Sequence, residues 1–364
     1  MVREKRLRPE TLARHCQSKL AIEQSKNREK TMKKTSIAQG MRHSLAATAA
    51  ISAILAAGTG VAQDITFRIA SVNPPTALSV QLAEQVAERI TERTDGRIAF
   101  QMFPSAQLGT TADSLEQASQ GLPVITFTSA SFMSQFGAPQ LAAVDGPFVV
   151  DNAEEGETLA FSDLMSGYYD QLAETSGVRV LALNWFDGPR HMIGSEAYSE
   201  PTDLEGVKMR VPSVETWLNT FEPLGVVATT VEAAETYSAL AQGVVTAAEA
   251  PLTGLRASRW YENAKQITLT GHFNLFLGWV TSESALAGLP DADRAIMMEE
   301  FRKGGQDLAA QSVELDQEVI AEFEAAGVTF HEADRDAYRE ATASFWDHWP
   351  DGLYEQIRSA ATAE

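Results

Sequence analysis

Beyond Asp64 the period of apolar and polar positions along this 364-residue chain changes repeatedly, and turn residues punctuate each change. Residues 66–72 form a short β-branched run ending at Asn73-Pro74-Pro75, the pattern of a strand and its exit loop. Leu78, Leu82, Val86 and Ile90 then recur every four residues with Ala83 and Ala87 beside them. That spacing predicts one apolar helix face, with a stop at Asp95-Gly96. Residues 97–103 alternate, with Ile98, Phe100 and Met102 on one side, and a helix over about 111–120 leads through Gly121 to a strand at 124–127. Strands alternating with helices predict an α/β fold built from βα units around a largely parallel sheet.

A second series opens with a strand at 178–185 that stops at Asp187-Gly188-Pro189. A strand at 208–211, helices near 214–224 and 233–242 and a short strand near 244–248 follow, which outlines a second, smaller α/β domain. Residues 291–326 are helical in pattern, interrupted only at Gly304-Gly305. A helix of that length exceeds the usual ~20 residues and reaches across both domains. The closing stretch, 334–357, is helical with Phe345, Trp346 and Trp349 for burial, and the chain has no internal repeat.

Charge divides the chain. Of its 29 Lys and Arg and 49 Asp and Glu, 12 basic but only 4 acidic residues fall within 1–62, so the remainder carries 17 against 45, a formal charge of −28. Such a surface repels nucleic acid and anionic lipid. Within the basic preface, Met32-Lys33-Lys34 and Arg42-His43 precede an apolar run at 45–57, and Gly60-Val61-Ala62 supplies small residues for cleavage. This layout predicts a signal peptide at 32–62, cleaved near Ala62, because the apolar run falls short of the ~20 residues of a membrane span. Residues 1–31 precede the plausible start at Met32 and read as a spurious or disordered extension. The single cysteine, Cys16, lies in that preface and leaves the exported part without disulfide, thiolate nucleophile or cysteine-bound metal.

Signatures of catalysis are absent from the sequence: no phosphate loop, no His-Glu-x-x-His pair and no Gly-x-Ser-x-Gly elbow. His331-Glu332 with Asp334 has no ordinary metal-site spacing and reads as a strand-to-helix turn. The carboxylate pairs Glu232/Glu235 and Glu299/Glu300 read as solvated helix faces. Two arginines stand out instead. Arg190 and Arg210 sit in apolar, turn-punctuated sequence of an acidic chain, and a guanidinium there presents a planar fork suited to a carboxylate.

The order of motifs carries a family resemblance. Asn73-Pro-Pro, Phe103-Pro-Ser-Ala-Gln-Leu-Gly109, Gly188-Pro-Arg190, Asp203-Leu-Glu-Gly-Val-Lys-Met-Arg-Val-Pro212, Glu249-Ala-Pro251 and His272 together resemble the solute-binding subunits of tripartite ATP-independent periplasmic (TRAP) transporters, the DctP-like family, from about Thr66 to Trp349. The resemblance implies a two-lobed clamshell, with lobe I at 64–187 plus about 276–325 and lobe II at 188–275 plus about 326–360. It implies that Arg210 binds a ligand carboxylate and that Arg190 is oriented by Glu249 and His272. Asn73, Thr128, Ser129 and Ser213 carry over as polar contacts, Trp185 and Asn274 as walls. Ala233 and Ala250 stand where sialic-acid-binding members place a Phe and an Asn, which speaks against sialic acid and leaves an organic acid. The expected function is a periplasmic, non-enzymatic receptor without cofactor that delivers an organic acid to integral-membrane transporter subunits. An exported lyase or hydrolase acting on acidic substrates, and a sensory receptor, are the alternatives.

Overall fold

The computed structural model describes residues 65–363, so the extension expected at 1–31 and the signal peptide expected at 32–62 lie outside the described residues. The first stretch alternates as its periodicity predicts: β1 (Ile65–Ala70), α1 (Leu78–Arg93), β2 (Ile98–Phe103), α2 (Thr111–Ser119) and β3 (Val124–Ser129). Four helices, α3 (Ala130–Met133), α4 (Leu141–Val144), α5 (Ala153–Ala160) and α6 (Asp163–Ser176), then lead to β4 (Val178–Ala182). The second series runs β5 (Arg190–Gly194), β6 (Lys208–Val211), α7 (Glu215–Phe221), β7 (Val227–Thr230), α8 (Thr236–Ala241), β8 (Ala247–Pro251), α9 (Leu252–Ala257) and β9 (Gln266–Phe273). It is followed by β10 (Leu277–Ser282), α10 (Glu283–Ala287), α11 (Asp291–Ala325), β11 (Thr329–Glu332), α12 (Arg335–Ala341) and α13 (Leu353–Ala361).

These strands make two sheets, β2-β1-β3-β10-β4 and β11-β9-β5-β8-β6-β7. Neither is wholly parallel. β10 runs antiparallel to β3 and β4, and β5 runs antiparallel to β8 and β9. Both strands are entered directly from the other sheet, β5 after β4 and β10 after β9, with no helical crossover to restore the direction that a parallel neighbour needs. The two crossings therefore lie side by side and join two α/β lobes.

The α11 helix is the third connection. Met297, Phe301 and Leu308 pack with Phe67, Val86, Ile90 and Trp279 of the first sheet's core, whereas Val319 and Phe323 pack with Ile193, Ala248 and Ile267 of the second. Gly304-Gly305 does not interrupt it. A Cβ on Gly304 would lie 2.6 Å from Trp185 Cζ2 and from Val86 Cγ2, and one on Gly305 would lie 2.4 Å from Asn184 Oδ1, so the pair admits close approach rather than a break. Glu300 corrects the expectation of a solvated face. It is buried, accepting from Arg89 Nε at 2.5 Å and Arg93 Nη1 at 2.7 Å, while Asp293 takes both Arg97 Nε and Nη2. These pairs fasten α11 to α1 and to Arg97 in the turn before β2, where unpaired charges would be costly.

The chain's end divides between the lobes. β11 pairs with β9 of the second sheet, and Tyr338 of α12 packs in a cluster with Phe273. Leu353, Ile357 and Ala361 of α13 instead join Val178 and Val180 in the core behind the first sheet, although the sequence boundaries put all of 326–360 in lobe II.

Candidate ligand-binding site

A cavity of about 160 Å³ lies between the two sheets, beside the crossings. The first lobe contributes the β1–α1 loop and the end of β3. Asn73 is held there by Ser105 N donating to its carbonyl at 2.8 Å and by its own Nδ2 donating to Ser79 Oγ at 3.3 Å. The Pro-Ser-Ala-Gln-Leu-Gly loop thus buttresses the Asn73 loop, since Ala106 N also donates to Ser71 O. Thr128 and Ser129 are buried at the end of β3, and Ser129 Oγ accepts from Phe132 N at 3.5 Å.

Opposite them, β5, β6 and β8 present the charged groups. Arg190 stands across from Pro251 in the antiparallel β5–β8 register, so Glu249 is its diagonal neighbour on the same face. Glu249 has no solvent exposure. It accepts from Arg190 Nε, from Arg190 Nη2 at 2.9 Å and from Trp217 Nε1 at 2.7 Å. His272 Nε2 lies 3.6 Å from Glu249 Oε2, an ion-pair distance too long for a hydrogen bond, and its Nδ1 contacts Thr270 Oγ1 at 2.7 Å. Burial pushes the Glu249 carboxyl up more than any single neighbour pulls it down, but the Arg190 charge and hydrogen bonds and the adjacent His272 together outweigh it and hold Glu249 well below the usual carboxylate range. Burial also drives His272 below its ordinary value, which leaves the imidazole neutral at pH 7.

Arg210 differs in kind. Pro212 ends β6 just beyond it, because proline cannot donate to the ladder. Arg210 is 5 % exposed, its Nε donates to Val231 O at 2.9 Å and its guanidinium lies 5.9 Å from the centre of the Trp260 ring. No described carboxylate lies within ion-pair distance of it, and no described residue takes a hydrogen bond from its two terminal nitrogens. Burial lowers it to about 10, so it remains a cation at neutral pH.

Of the residues singled out in the sequence, Asn73, Thr128, Ser129, Arg190, Arg210 and Ala250 line this cavity together, and Ala233 lines it too. Three do not, which corrects the expectation for them. The Trp185 ring is fully buried against α11, its Nε1 donating to Phe301 O at 2.8 Å, because the chain must dock the long helix there. Asn274 spends its Nδ2 on Val150 O at 3.0 Å, bracing the β9–β10 crossing. Ser213 is exposed, since Pro212 turns the chain before it. Glu249 and His272 lie behind the wall.

Among the lining residues that the sequence did not mark for the site are Asp187, Trp217, Thr253 and Trp260, and Glu232, expected on a solvated helix face, borders the cavity as well. Asp187 was legible only as the strand stop before Gly188-Pro189. Trp217 and Trp260 carried no signal separating a cavity wall from a core. Across the cavity mouth Thr76 Oγ1 donates to Ala257 O at 3.3 Å, linking the two lobes. His331 is remote, its Nε2 meeting Gln266 Oε1 at 2.6 Å on the β11–β9 pair.

Comparison with known proteins agrees with this architecture. Residues 69–351 match the family model for bacterial extracellular solute-binding protein, family 7 (DctP). A solute-binding protein of Roseobacter denitrificans is 28% identical over 307 residues, covering 82% of this chain and 90% of its own length. A crystal structure of that protein with bound L-galactonate superposes with a TM-score of 0.76 at 25% identity, over 82% of this chain and 99% of the other. The sialic acid-binding periplasmic protein SiaP of Vibrio cholerae is 27% identical over 306 residues, 81% of this chain and 94% of its own. A TRAP periplasmic solute-binding protein from Desulfovibrio salexigens, in complex with diglycerolphosphate, gives a TM-score of 0.78 at 30% identity, over 82% and 97% of the two chains. These neighbours are binding proteins rather than enzymes, and among the described residues no helix is long and apolar enough to cross a membrane. Two lobes joined by two strand crossings and one long helix, with the family match over most of the described residues, make this chain a member of the DctP family of TRAP periplasmic solute-binding proteins.

Proposed function

We propose that this chain is the periplasmic receptor of a TRAP transporter, that it binds a small organic acid through Arg210, and that it passes the acid to integral-membrane subunits. The observation that carries this reading is the contrast between the two arginines. Arg190 is neutralised by Glu249, whereas Arg210 lines the cavity with both terminal nitrogens free of described partners. A carboxylate completes that site through two parallel charge-assisted hydrogen bonds. A micromolar dissociation constant corresponds to about −8 kcal/mol, within reach of such a contact in a desolvated cleft. Closure follows because the acid touches both lobes, and only contact that differs between open and closed states shifts their balance. The relatives' L-galactonate and sialic acid are carboxylic acids, which supports the ligand class. Export rests on the basic and apolar pattern of residues 32–62, with cleavage near Ala62.

The test is Arg210→Ala in a thermal-shift screen against organic acids. The variant keeps the wild-type melting temperature within a few degrees and loses stabilisation by the acid that stabilises the wild type. Undiminished stabilisation refutes the assignment.

A further inference from the structure

The cavity wall contains a carboxylate with one oxygen unspent. Asp187 lies in the crossing from β4 to β5, and its Oδ1 accepts from Thr253 Oγ1 at 2.7 Å and Ser312 Oγ at 3.3 Å. Thr253 belongs to α9 and Ser312 to α11, so the side chain is clamped from both sides of the crossing. Its Oδ2 receives no hydrogen bond from any described residue, yet it is not sealed in the core, and Asp187 lines the same cavity as Arg210.

The chemistry of that oxygen restricts what it can meet. A carboxylate only accepts hydrogen bonds, so a ligand group beside Oδ2 must donate one. A second ligand carboxylate there is repelled, and a saturated carbon leaves the oxygen desolvated and unpaired. An ammonium donates as well, but it costs more to bring out of water than a hydroxyl does. The neutral groups of Asn73, Thr128 and Ser129 on the opposite wall suit further hydroxyls. Resting on the reading that Arg210 holds the ligand's carboxylate, we propose that Asp187 is the specificity-determining residue at a second point on the ligand, accepting a hydrogen bond from a ligand hydroxyl, so that this receptor selects hydroxylated monocarboxylates over dicarboxylates. Burial pushes the Asp187 carboxyl above its ordinary value, with Thr253, Ser312 and the Arg190 charge opposing that shift, and a ligand hydroxyl adds one more donor to the charged form.

Isothermal titration of the protein with a matched series tests this: four- to six-carbon aldonates and uronates, the corresponding aldarates with a second carboxylate, the unsubstituted fatty acids, and 2-amino-2-deoxyaldonates. The expected result is that an aldonate or uronate binds at least about tenfold more tightly than its aldarate and its unsubstituted counterpart, following the selectivity of a site built around a substrate hydroxyl. Asp187→Asn, which keeps an oxygen for Thr253, weakens the hydroxy acid at least about tenfold and narrows its advantage over the aldarate. Thr253→Val, which leaves the carboxylate but removes its positioning donor, weakens the hydroxy acid less; it carries the test if Asp187→Asn fails to fold. Equal or tighter binding of an aldarate, a fatty acid or an amino acid analogue overturns the proposal, as does wild-type affinity for the hydroxy acid in both variants. Those failures leave the Arg210 reading standing as long as Arg210→Ala still abolishes binding of whichever acid the wild type takes. Loss of selectivity together with full binding by Arg210→Ala overturns both.

Discussion

Replacing Glu249 by Gln isolates the charge behind the cavity wall while keeping the side chain's shape. In the wild type the carboxylate accepts Arg190 Nε and Nη2 and Trp217 Nε1, with His272 3.6 Å away and no water-exposed surface. The substitution removes the counter-charge of Arg190, whose side chain is only 13 % exposed, and turns an amide N–H₂ toward donors. Breaking a buried pair in this way costs about 3–5 kcal/mol, and the open cavity beside Arg190 favours the lower end because water reaches the guanidinium. At roughly 2 °C per kcal/mol for a chain of this size, the melting temperature of the unliganded protein falls by about 6–8 °C. The same buried charge sets the pH dependence. The folded pKa of Glu249 is depressed, to about 2, so its contribution is present above the ordinary carboxylate range and is lost as pH falls through the folded value. Scanning calorimetry of wild type and variant near neutral pH reads the difference. Ligand affinity, measured alongside, falls less than in Arg210→Ala. A melting temperature within 1 °C of wild type, or a greater loss of binding than Arg210→Ala shows, refutes the division of roles between the two arginines.

Two further outcomes follow from the packing and the buried charges. Gly304→Ala puts a methyl 2.6 Å from the Trp185 ring, which the Phe301 carbonyl holds in place. Overpacking of about 1–3 kcal/mol outweighs the ~1 kcal/mol gain in helix propensity, so the denaturation midpoint falls; a rise refutes the close-approach account of the glycine pair. Asp145, buried and accepting from Ser131 N at 2.7 Å, Ser131 Oγ at 2.8 Å and Phe276 N at 2.8 Å, is raised to about 6 by burial, against those hydrogen bonds. Its folded pKa exceeds the unfolded ~3.9, so the folded state binds the extra proton and stability declines as pH rises from about 4 to 6. Asp145→Asn removes that part of the slope in denaturation series at pH 4.5, 5.5 and 6.5, and an unchanged slope sinks the assignment.

What could be read before folding depended on how locally each feature was encoded. The helix of β1–α1 and the strands that follow show their period within a few residues, and the long α11 helix declared its length. The strands β9 and β10 did not declare themselves. They form one apolar run from 266 to 282 whose break at Asn274 marks a change of sheet rather than a turn, and nothing in the local sequence distinguishes the two. Glu300 is hidden from a local pattern for a related reason: a helix packed on several sides can set a carboxylate against arginines 207 and 211 positions away, while the helical pattern alone suggests a solvated face.

The sequence by itself determined the α/β class, the acidic balance beyond residue 62, the single cysteine at Cys16 and the two arginines in apolar context, because these depend on composition and short-range pattern. Tertiary structure decided the rest. It paired Arg190 with Glu249 across adjacent antiparallel strands, left Arg210 facing open space, turned Trp185 to the long helix, and brought Asp187 from a turn into the cavity between Thr253 and Ser312. Such roles depend on which groups, far apart in the chain, share a low-dielectric space and which of their hydrogen bonds remain unspent, and a linear pattern contains neither.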